Sequence, residues 1–177
     1  MASFSLLFVT IVLSLMLPFL SPIAANEALI EKTCHTTPYY DLCLSTLHSD
    51  SSSGNANTKG LVEIIVRKAE ESVADTAAFI ADHLKKNATE YGQAGPLCED
   101  HYNSAKQSLQ ESLNDLQANQ FDAAGIKSSE ARESAKTCGS DFGRIGLDYP
   151  SELAQREDML EKLCDIASAI ISSSFVA

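Results

Sequence analysis

Four long segments of the chain carry apolar residues at spacings of three and four, which is the period of an α-helix. They cover residues 58–84, 96–116, 121–138 and 151–172. Between them, residues 87–95 are predicted to form a loop, and Gly139, Gly143, Gly146 and Pro150 mark a turn region after Cys138. No segment alternates apolar and polar residues convincingly, as a half-buried strand does. The 177 residues include only 8 Gly and 5 Pro, too few for the many tight turns of an all-β fold. The sequence therefore predicts an all-α protein.

The segment 121–138 is the most regular of the four, and small residues dominate its apolar stripe, so it can approach neighbouring helices closely. Short connections imply antiparallel neighbours, and we expect an up-down-up-down four-helix bundle over about residues 58–174. A Cys-bracketed piece at about residues 27–49, with Thr37-Pro38 as a helix start, is expected to form an N-terminal α-hairpin. The stripe comprises Phe121, Ala124, Ser128, Ala131, Ala135 and Cys138.

The first 25 residues contain no charged side chain and include an almost unbroken apolar run from Leu6 to Leu20. The run is shorter than the roughly 20 apolar residues of a membrane span, and small residues follow it. This is the pattern of a secretory signal peptide, although the usual Lys or Arg near its start is absent. We expect cleavage after Ala25, which leaves a single domain over residues 26–177 and no membrane segment.

A secreted chain matures in an oxidising compartment, where paired cysteines form disulfides. The same route makes N-glycosylation possible, and Asn87-Ala88-Thr89 is the only acceptor sequence in the chain. We therefore expect Asn87 on the surface as a glycosylation site.

The five cysteines test the predicted bundle. Cys98 begins one predicted helix and Cys138 ends the next, so two antiparallel helices of similar length bring these residues together. Cys34 and Cys43 are nine residues apart and are expected to form a local bridge. Cys164 then remains a free thiol on the inner face of the last helix. We interpret it as a small buried apolar residue rather than a reactive thiol.

Charge and motifs exclude several kinds of function. The chain has 13 Lys and Arg against 24 Asp and Glu, a net charge of −11, which argues against nucleic-acid binding. It contains no G-x-S-x-G, P-loop or H-E-x-x-H motif. The run Glu99-Asp100-His101 suggests a metal, but successive residues on a helix point about 100° apart and do not converge on one ion. We expect no catalytic residue, no metal, no cofactor and no enzymatic activity.

The chain resembles the plant invertase and pectin methylesterase inhibitor family over essentially its whole mature length. No single motif carries the resemblance; the spacing of four cysteines, the helical pattern and the signal peptide carry it together. The matching elements are Thr33-Cys34, Cys43, Leu47-His48-Ser49-Asp50, Cys98, Thr137-Cys138, Asp141-Phe142 and Leu163-Cys164-Asp165-Ile166. The resemblance implies a monomer secreted to the cell wall, with the vacuole as the other destination, that inhibits a carbohydrate-processing enzyme in a 1:1 complex.

Two target enzymes are implied. Members that inhibit acid invertase often carry Pro-Lys-Phe, where this chain has Asn119-Gln120-Phe121 and keeps only the Phe. The seventeen residues from Phe121 to Cys138, and the additional Cys164, look more like the pectin methylesterase inhibitors. The resemblance therefore favours pectin methylesterase as the partner, with acid invertase as the alternative.

The resemblance also implies target-binding residues, and three of them have a structural alternative. Asp100, Tyr102 and Thr137 match contact positions of the methylesterase inhibitors, whereas Phe121 matches the invertase segment. Gly125 stands where the family's contact face has Asn. Alternatively, Asp100 only faces the helix dipole, Tyr102 packs in the core, and Thr137 is merely solvated beside the bridge.

The acidic surface is consistent with binding a basic enzyme rather than the polyanion pectin itself. Two other classes remain open: a secreted helical carrier of a small apolar ligand, and a relative of the pectin methylesterase pro-region that acts in trans. The small residues between the helices argue against the carrier, because close packing leaves little room for a ligand.

Overall fold

A computed structural model describes residues 26–176, and the predicted signal peptide lies outside these residues. Within them every regular element is helical, which confirms the all-α prediction. A 3₁₀ turn at Ser51–Asn55 precedes the first long helix, and a π-helical segment at Ile80–Lys85 continues it. The helices are α1 (26–34), α2 (Tyr40–His48), α3 (Thr58–Phe79), α4 (Ala88–Tyr91), α5 (Ala94–Gln117), α6 (Phe121–Ile145) and α7 (Ser151–Phe175).

The four long helices form the bundle. Helix α5 packs against α6, α6 against α7, α7 against α3, and α3 against α5, so α3 and α6 occupy diagonal positions. The core between them is apolar and closed to solvent, with Ile65 on α3, Leu109 on α5 and Leu160 on α7 fully buried. The short helix α2 rests on α3 at the outside of this ring.

The α5–α6 contact is the closest packed part of the bundle, because small residues line it. Ala124, Ala131 and Ala135 on α6 are fully buried. Ser112 on α5 donates a 2.9 Å hydrogen bond to the carbonyl oxygen of Ala124, and its hydroxyl lies 3.0 Å from that of Ser128. Both buried hydroxyls therefore have hydrogen-bond partners within the contact between the two helices.

Both predicted disulfides are confirmed. Cys34–Cys43 ties α1 to α2 with a Cα–Cα distance of 5.5 Å, and Cys98–Cys138 ties α5 to α6 with a distance of 4.7 Å. Cys164 is free and buried on α7, as expected. Burial raises the pKa of its thiol to about 12, so the thiolate is not formed in the folded protein near neutral pH.

Three local expectations were wrong. The turn predicted after Cys138 does not begin at Gly139; α6 continues to Ile145 and ends at Gly146, which has a left-handed φ of 74°. Gly139 serves close packing instead, because a Cβ there would lie 3.1 Å from the Tyr149 ring.

The other two corrections concern the start of α2 and a short helix in a region predicted as a loop. Thr37 and Pro38 lie in the turn between α1 and α2, where the Thr37 hydroxyl donates to the carbonyl oxygen of Cys34 at 2.8 Å. The first helical residue of α2 is Tyr40. The region 87–95, predicted as a loop, contains the four-residue helix α4.

Candidate protein-binding face

A groove in the described structure follows α6 and is flanked by α5 and α7. We call this surface the α6 face. It is rich in Ser, Thr and acidic residues and contains no Lys or Arg. Its lining residues are His101, Ser104, Ser108, Asp122, Gly125, Ile126, Ser129, Glu130, Glu133, Ser134, Thr137, Ser168, Ser172 and Val176.

The α6 face has an apolar patch that is open to solvent and lies toward its Phe121 end. Ile126 is 59% exposed and Val176 is 42% exposed, the two large apolar residues of the groove that protrude most. Gly125 lies beside Ile126 without a side chain, and the position of its missing Cβ is 3.5 Å from Ile171. Exposed apolar side chains surrounded by polar ones are typical of surfaces that bind another protein.

Acidic residues surround this apolar patch. Glu130 and Glu133 are exposed on α6, and Asp122 is exposed near the start of the helix. Lys127, which lies outside the groove, has its ammonium within 2.9 Å of both Glu111 and Glu130. These two carboxylates raise the pKa of Lys127 and form ion pairs with it, so its positive charge does not offset the other acidic residues, and the face remains net negative.

The disulfide end of the α6 face is held by a second connection between α5 and α6. Asp141 is only 2% exposed, and His101 Nε2 lies 2.9 Å from its Oδ2. Arg144 reaches the other oxygen of Asp141 at 2.8 Å. His101 and Asp141 each follow a cysteine of the Cys98–Cys138 bridge by three residues, so they lie one helical turn from it.

The α6–α7 side is connected by polar groups. Arg132 forms ion pairs with Asp165 of α7 and with Glu133 beside it. The hydroxyls of Ser129 and Ser168 lie 3.4 Å apart across the same two helices. Since both flanks of α6 are fixed, the α6 face is a surface formed before any partner arrives.

Two predicted contact residues are available at the disulfide end. Thr137 is exposed, lines the α6 face, and donates its hydroxyl hydrogen bond to the carbonyl oxygen of Glu133 at 2.9 Å. Asp100 is exposed on α5 just outside the groove, one turn before Ser104, whose hydroxyl bonds to the Asp100 carbonyl at 3.0 Å. The structure therefore places both at the end of the bundle that the disulfide fixes.

Tyr102 does not belong to this surface. Its side chain is fully buried, so it has no atom to offer a partner, and the core-packing alternative describes it correctly. Burial raises the pKa of its phenol, and the Glu157 carboxylate nearby raises it further. The Tyr102 hydroxyl has no hydrogen-bond partner among the described residues.

Phe121 lies at the opposite end of the bundle from the disulfide. Its ring stacks on Phe175 of α7 with centroids 4.1 Å apart and planes 8° from parallel. The preceding Asn119 has a left-handed φ of 58°, and its side-chain oxygen accepts a hydrogen bond from Lys59 at 2.9 Å. The segment Asn119-Gln120-Phe121 is thus separated from Thr137 by sixteen residues of α6, which is about 24 Å along the helix.

The Glu99-Asp100-His101 run does not form a cluster. The Glu99 carboxylate lies 2.7 Å from the Lys85 ammonium, whereas His101 faces Asp141 on α6. Among residues 26–176, no three His, Cys, Asp or Glu side chains come together as metal ligands. Nor does any helix in this range combine the length and apolar character needed to cross a membrane.

Four long helices, an N-terminal hairpin and two disulfides define the class of protein. It is a disulfide-linked helical bundle with a preformed groove on one face. Comparison with known proteins agrees with this architecture. The chain belongs to the plant invertase/pectin methylesterase inhibitor family, whose model matches residues 28–170.

Relatives with both kinds of name are similar to this chain. One is "Cell wall / vacuolar inhibitor of fructosidase 2" of Arabidopsis thaliana, 34% identical over 149 residues, which are 82% of this chain and 83% of that protein. Another is "Pectinesterase inhibitor 28" of Oryza sativa subsp. japonica, 33% identical over 162 residues, which are 85% of this chain and 71% of that protein.

Solved structures share the fold. The crystal structure of mutant form A of a pectin methylesterase inhibitor from Arabidopsis matches with a TM-score of 0.66 and 23% identity, over 78% of this chain and 92% of that one. A second, from Arabidopsis thaliana, matches with a TM-score of 0.61 and 22% identity, over 82% and 95% of the two chains. At this level of identity the likeness concerns the fold alone.

Proposed function

We propose that this protein inhibits pectin methylesterase by forming a 1:1 complex in which the α6 face covers the enzyme's active-site cleft. The observation that carries the proposal is the α6 face itself. It has an exposed apolar patch at Ile126, and Thr137 lies at its disulfide end. Family membership and the rice relative named as a pectinesterase inhibitor support it.

Rigidity supports inhibition by contact rather than by chemistry. The Cys98–Cys138 bridge, the buried Ser112–Ser128 contact and the His101–Asp141 pair hold α5 and α6 in one arrangement. A surface that is already ordered loses little conformational entropy on binding, so more of the contact energy appears as affinity. Such an inhibitor needs no catalytic residue, and we propose that the protein has no enzymatic activity.

Charge also supports this choice of partner. On the α6 face, Asp122, Glu130 and Glu133 lie around the apolar patch. The residues that line the groove include no Lys or Arg. A basic enzyme is attracted to such a surface during encounter, whereas acidic pectin is repelled. The protein is therefore proposed to bind the enzyme and not its substrate.

Acid invertase is the second candidate target, because a relative at 34% identity is named as an inhibitor of fructosidase. By the resemblance, that mode would use Asn119-Gln120-Phe121. In this structure the Phe121 ring is engaged in its stack on Phe175, and inserting it into another protein would break that contact. The geometry therefore favours the α6 face, with the Phe121 end as the alternative surface.

The place of action is proposed from the N-terminus and the relatives together. Residues 1–25 are proposed as a secretory signal, and a relative is named a cell wall / vacuolar inhibitor. The mature protein is proposed to act as a monomer in the cell wall, with the vacuole as the alternative.

The test is a titration of the oxidised protein, residues 26–177, against a plant pectin methylesterase and a plant acid invertase near pH 5.5. We expect methylesterase activity to fall stoichiometrically and invertase activity to persist. Ile126→Glu should weaken inhibition at least about tenfold, as expected for an apolar residue at the centre of an interface. Ile145→Glu is the matched control, because Ile145 is also exposed on α6, at 41%, but lies outside the groove.

Three results would contradict the proposal. Equal effects of Ile126→Glu and Ile145→Glu would remove the α6 face from the contact. Loss of invertase activity alone, abolished by Phe121→Ala, would assign the function to the other end of the bundle. Inhibition of neither enzyme would leave the fold without this function.

A further inference from the structure

We propose that Asn87 carries an N-linked glycan, and that this glycan projects from the side of the bundle away from the α6 face and leaves inhibition unimpaired. The modification rests on the proposed secretion of the chain, and its effect on inhibition rests on the proposed function. Attachment of the glycan is measured as a change in mass, and its effect is measured as inhibitory activity, so either part can fail without the other.

Asn87 lies at an exposed junction between the π-helical segment Ile80–Lys85 and the short helix α4. Both the acceptor Asn87 and the hydroxyl-bearing Thr89 are exposed. The backbone carbonyl of Asn87 accepts hydrogen bonds from the Glu90 and Tyr91 amides at 2.9 and 3.0 Å, so the backbone is ordered at this exposed position.

The side-chain amide is compatible with the modification. Its Nδ2 donates a hydrogen bond to the carbonyl oxygen of His83 at 2.7 Å, on an exposed surface. An unmodified Asn amide has two hydrogens on Nδ2, and a glycosylated one keeps the second. The hydrogen that remains on Nδ2 is the group that would keep the contact to His83.

The reaction is a group transfer from a lipid diphosphate-linked oligosaccharide in the secretory pathway. A bond forms between Asn87 Nδ2 and the anomeric carbon of the first sugar, and the bond from that carbon to the diphosphate oxygen breaks. Nδ2 releases one proton, and the lipid diphosphate leaves with the bonding electron pair. The Asn-x-Thr sequence supplies the acceptor and the hydroxyl that this transfer requires.

The position of Asn87 in the bundle determines where the sugar goes. It follows the end of α3, which is diagonal to α6. Helix α4 contacts the π-helical segment and α5, and its Tyr91 ring lies 6.2 Å from the ring of Phe142, which is buried inside the C-terminal end of α6. The ion pair of Lys85 with Glu99 at 2.7 Å fixes this corner against the start of α5. Of the proposed contacts only Asp100 is near in sequence to this corner, whereas Ile126 and Thr137 lie on the helix across the core.

Occupancy is tested by secreting the full chain from a plant or yeast host and measuring the intact mass before and after enzymatic removal of N-glycans. We expect a glycan mass on the wild type and on Thr89→Ser, which keeps the acceptor sequence. Asn87→Gln and Thr89→Ala should lack it. Failure of the chain to be secreted, or secretion without a glycan on the wild type, would overturn the proposal.

Placement is tested by moving the glycan. In an Asn87→Gln background, Ser134→Asn with Lys136→Thr creates an acceptor sequence on the α6 face, and Ser134→Asn alone is the control without one. We expect the wild-type glycoform and Asn87→Gln to inhibit equally, and the relocated glycan to weaken inhibition at least about tenfold relative to its control.

A wild-type glycoform that inhibits less than Asn87→Gln would overturn the placement. If no variant inhibits either enzyme, the proposed function fails, and the mass measurement still decides whether Asn87 is modified.

Discussion

The two disulfides of this protein serve regions of very different construction. Cys98–Cys138 joins two helices of 24 and 25 residues that share a buried contact along their length. Cys34–Cys43 joins the short helices of the hairpin, which rests on the outside of α3. The first bridge strengthens a contact that is already extensive, whereas the second substitutes for a core that the hairpin is too small to build.

Polar contacts show the same difference. In the α5–α6 pair, the Ser112 hydroxyl and the Asp141 carboxylate are buried and fully engaged. The hairpin has instead an exposed pair, in which His48 lies 2.9 Å from Glu27 and each side chain is 47% exposed. We therefore expect substitutions in the α5–α6 region to affect both stability and inhibition, and matched substitutions in the hairpin to leave inhibition largely unchanged.

The largest expected effect comes from removing the bridges in turn. Replacing Cys98 and Cys138 by Ser opens a loop of 40 residues and should lower the free energy of unfolding by about 4 kcal/mol. Replacing Cys34 and Cys43 opens a loop of 9 residues and should cost about 3 kcal/mol. Chemical denaturation measures both. Inhibition should fall only with the first pair, and an equal loss with the second would break the comparison.

The next effect is expected from overpacking the contact between α5 and α6. Ala131→Leu adds three carbons to a fully buried position and should destabilise the protein by about 1–3 kcal/mol. Its counterpart in the hairpin is Ala28→Leu, an exposed helical site where we expect a change within about 0.5 kcal/mol. Similar denaturation midpoints for the two variants would show that the α5–α6 contact tolerates extra volume.

Removing the unpaired Tyr102 hydroxyl should stabilise the protein. Tyr102→Phe keeps the buried ring and relieves a hydroxyl without a partner among the described residues, a gain of about 1 kcal/mol. Tyr40→Phe in the hairpin is the control, because Tyr40 is partly exposed and should show little change. Loss of inhibition in a stable Tyr102→Phe variant would contradict its exclusion from the α6 face.

The smallest expected effect concerns pH. Burial raises the pKa of the Glu157 carboxyl, and the hydrogen bond from Tyr149 at 2.5 Å opposes this only partly. The folded state therefore favours the protonated form, and this stabilisation is lost as pH rises through the raised pKa. Thermal unfolding between about pH 4 and pH 7 should show Glu157→Gln gaining in Tm relative to wild type as pH rises.

Glu27→Gln is the hairpin control for that series, because Glu27 is exposed and faces only His48 among its ion-pair partners in the described structure. Its difference from wild type should not reproduce the Glu157 trend. A Glu157→Gln difference that is flat across the same pH range would show that this carboxyl titrates as an ordinary one.

Sequence periodicity was sufficient for the bundle because each buried stripe is local. The repeat from Ala124 to Cys138 identifies the residues that pack, and helix lengths then bring Cys98 opposite Cys138. The end of α6 was missed because Gly139 reads as a helix breaker, although here it admits the ring of Tyr149. That ring comes from a later turn, so only tertiary structure reveals the reason.

The candidate site was predicted less completely. Thr137 and Asp100 came from family resemblance and are exposed, but the same resemblance included Tyr102, although its place on the apolar stripe already indicated burial. The His101–Asp141 pair was missed, although both residues follow the bridged cysteines by three. Ile126 was missed because no local pattern distinguishes one exposed residue of a helix from another.

Cys164 has a practical consequence. It is the one free cysteine of the described chain, is 1% exposed, and has a pKa of about 12. A thiol reagent therefore modifies it only during moments when α7 separates from the bundle. The rate of that modification therefore measures how often the inhibitor opens spontaneously, and no attached probe is needed. A slower rate after an enzyme is added would report complex formation, even for a target enzyme whose substrate is unknown.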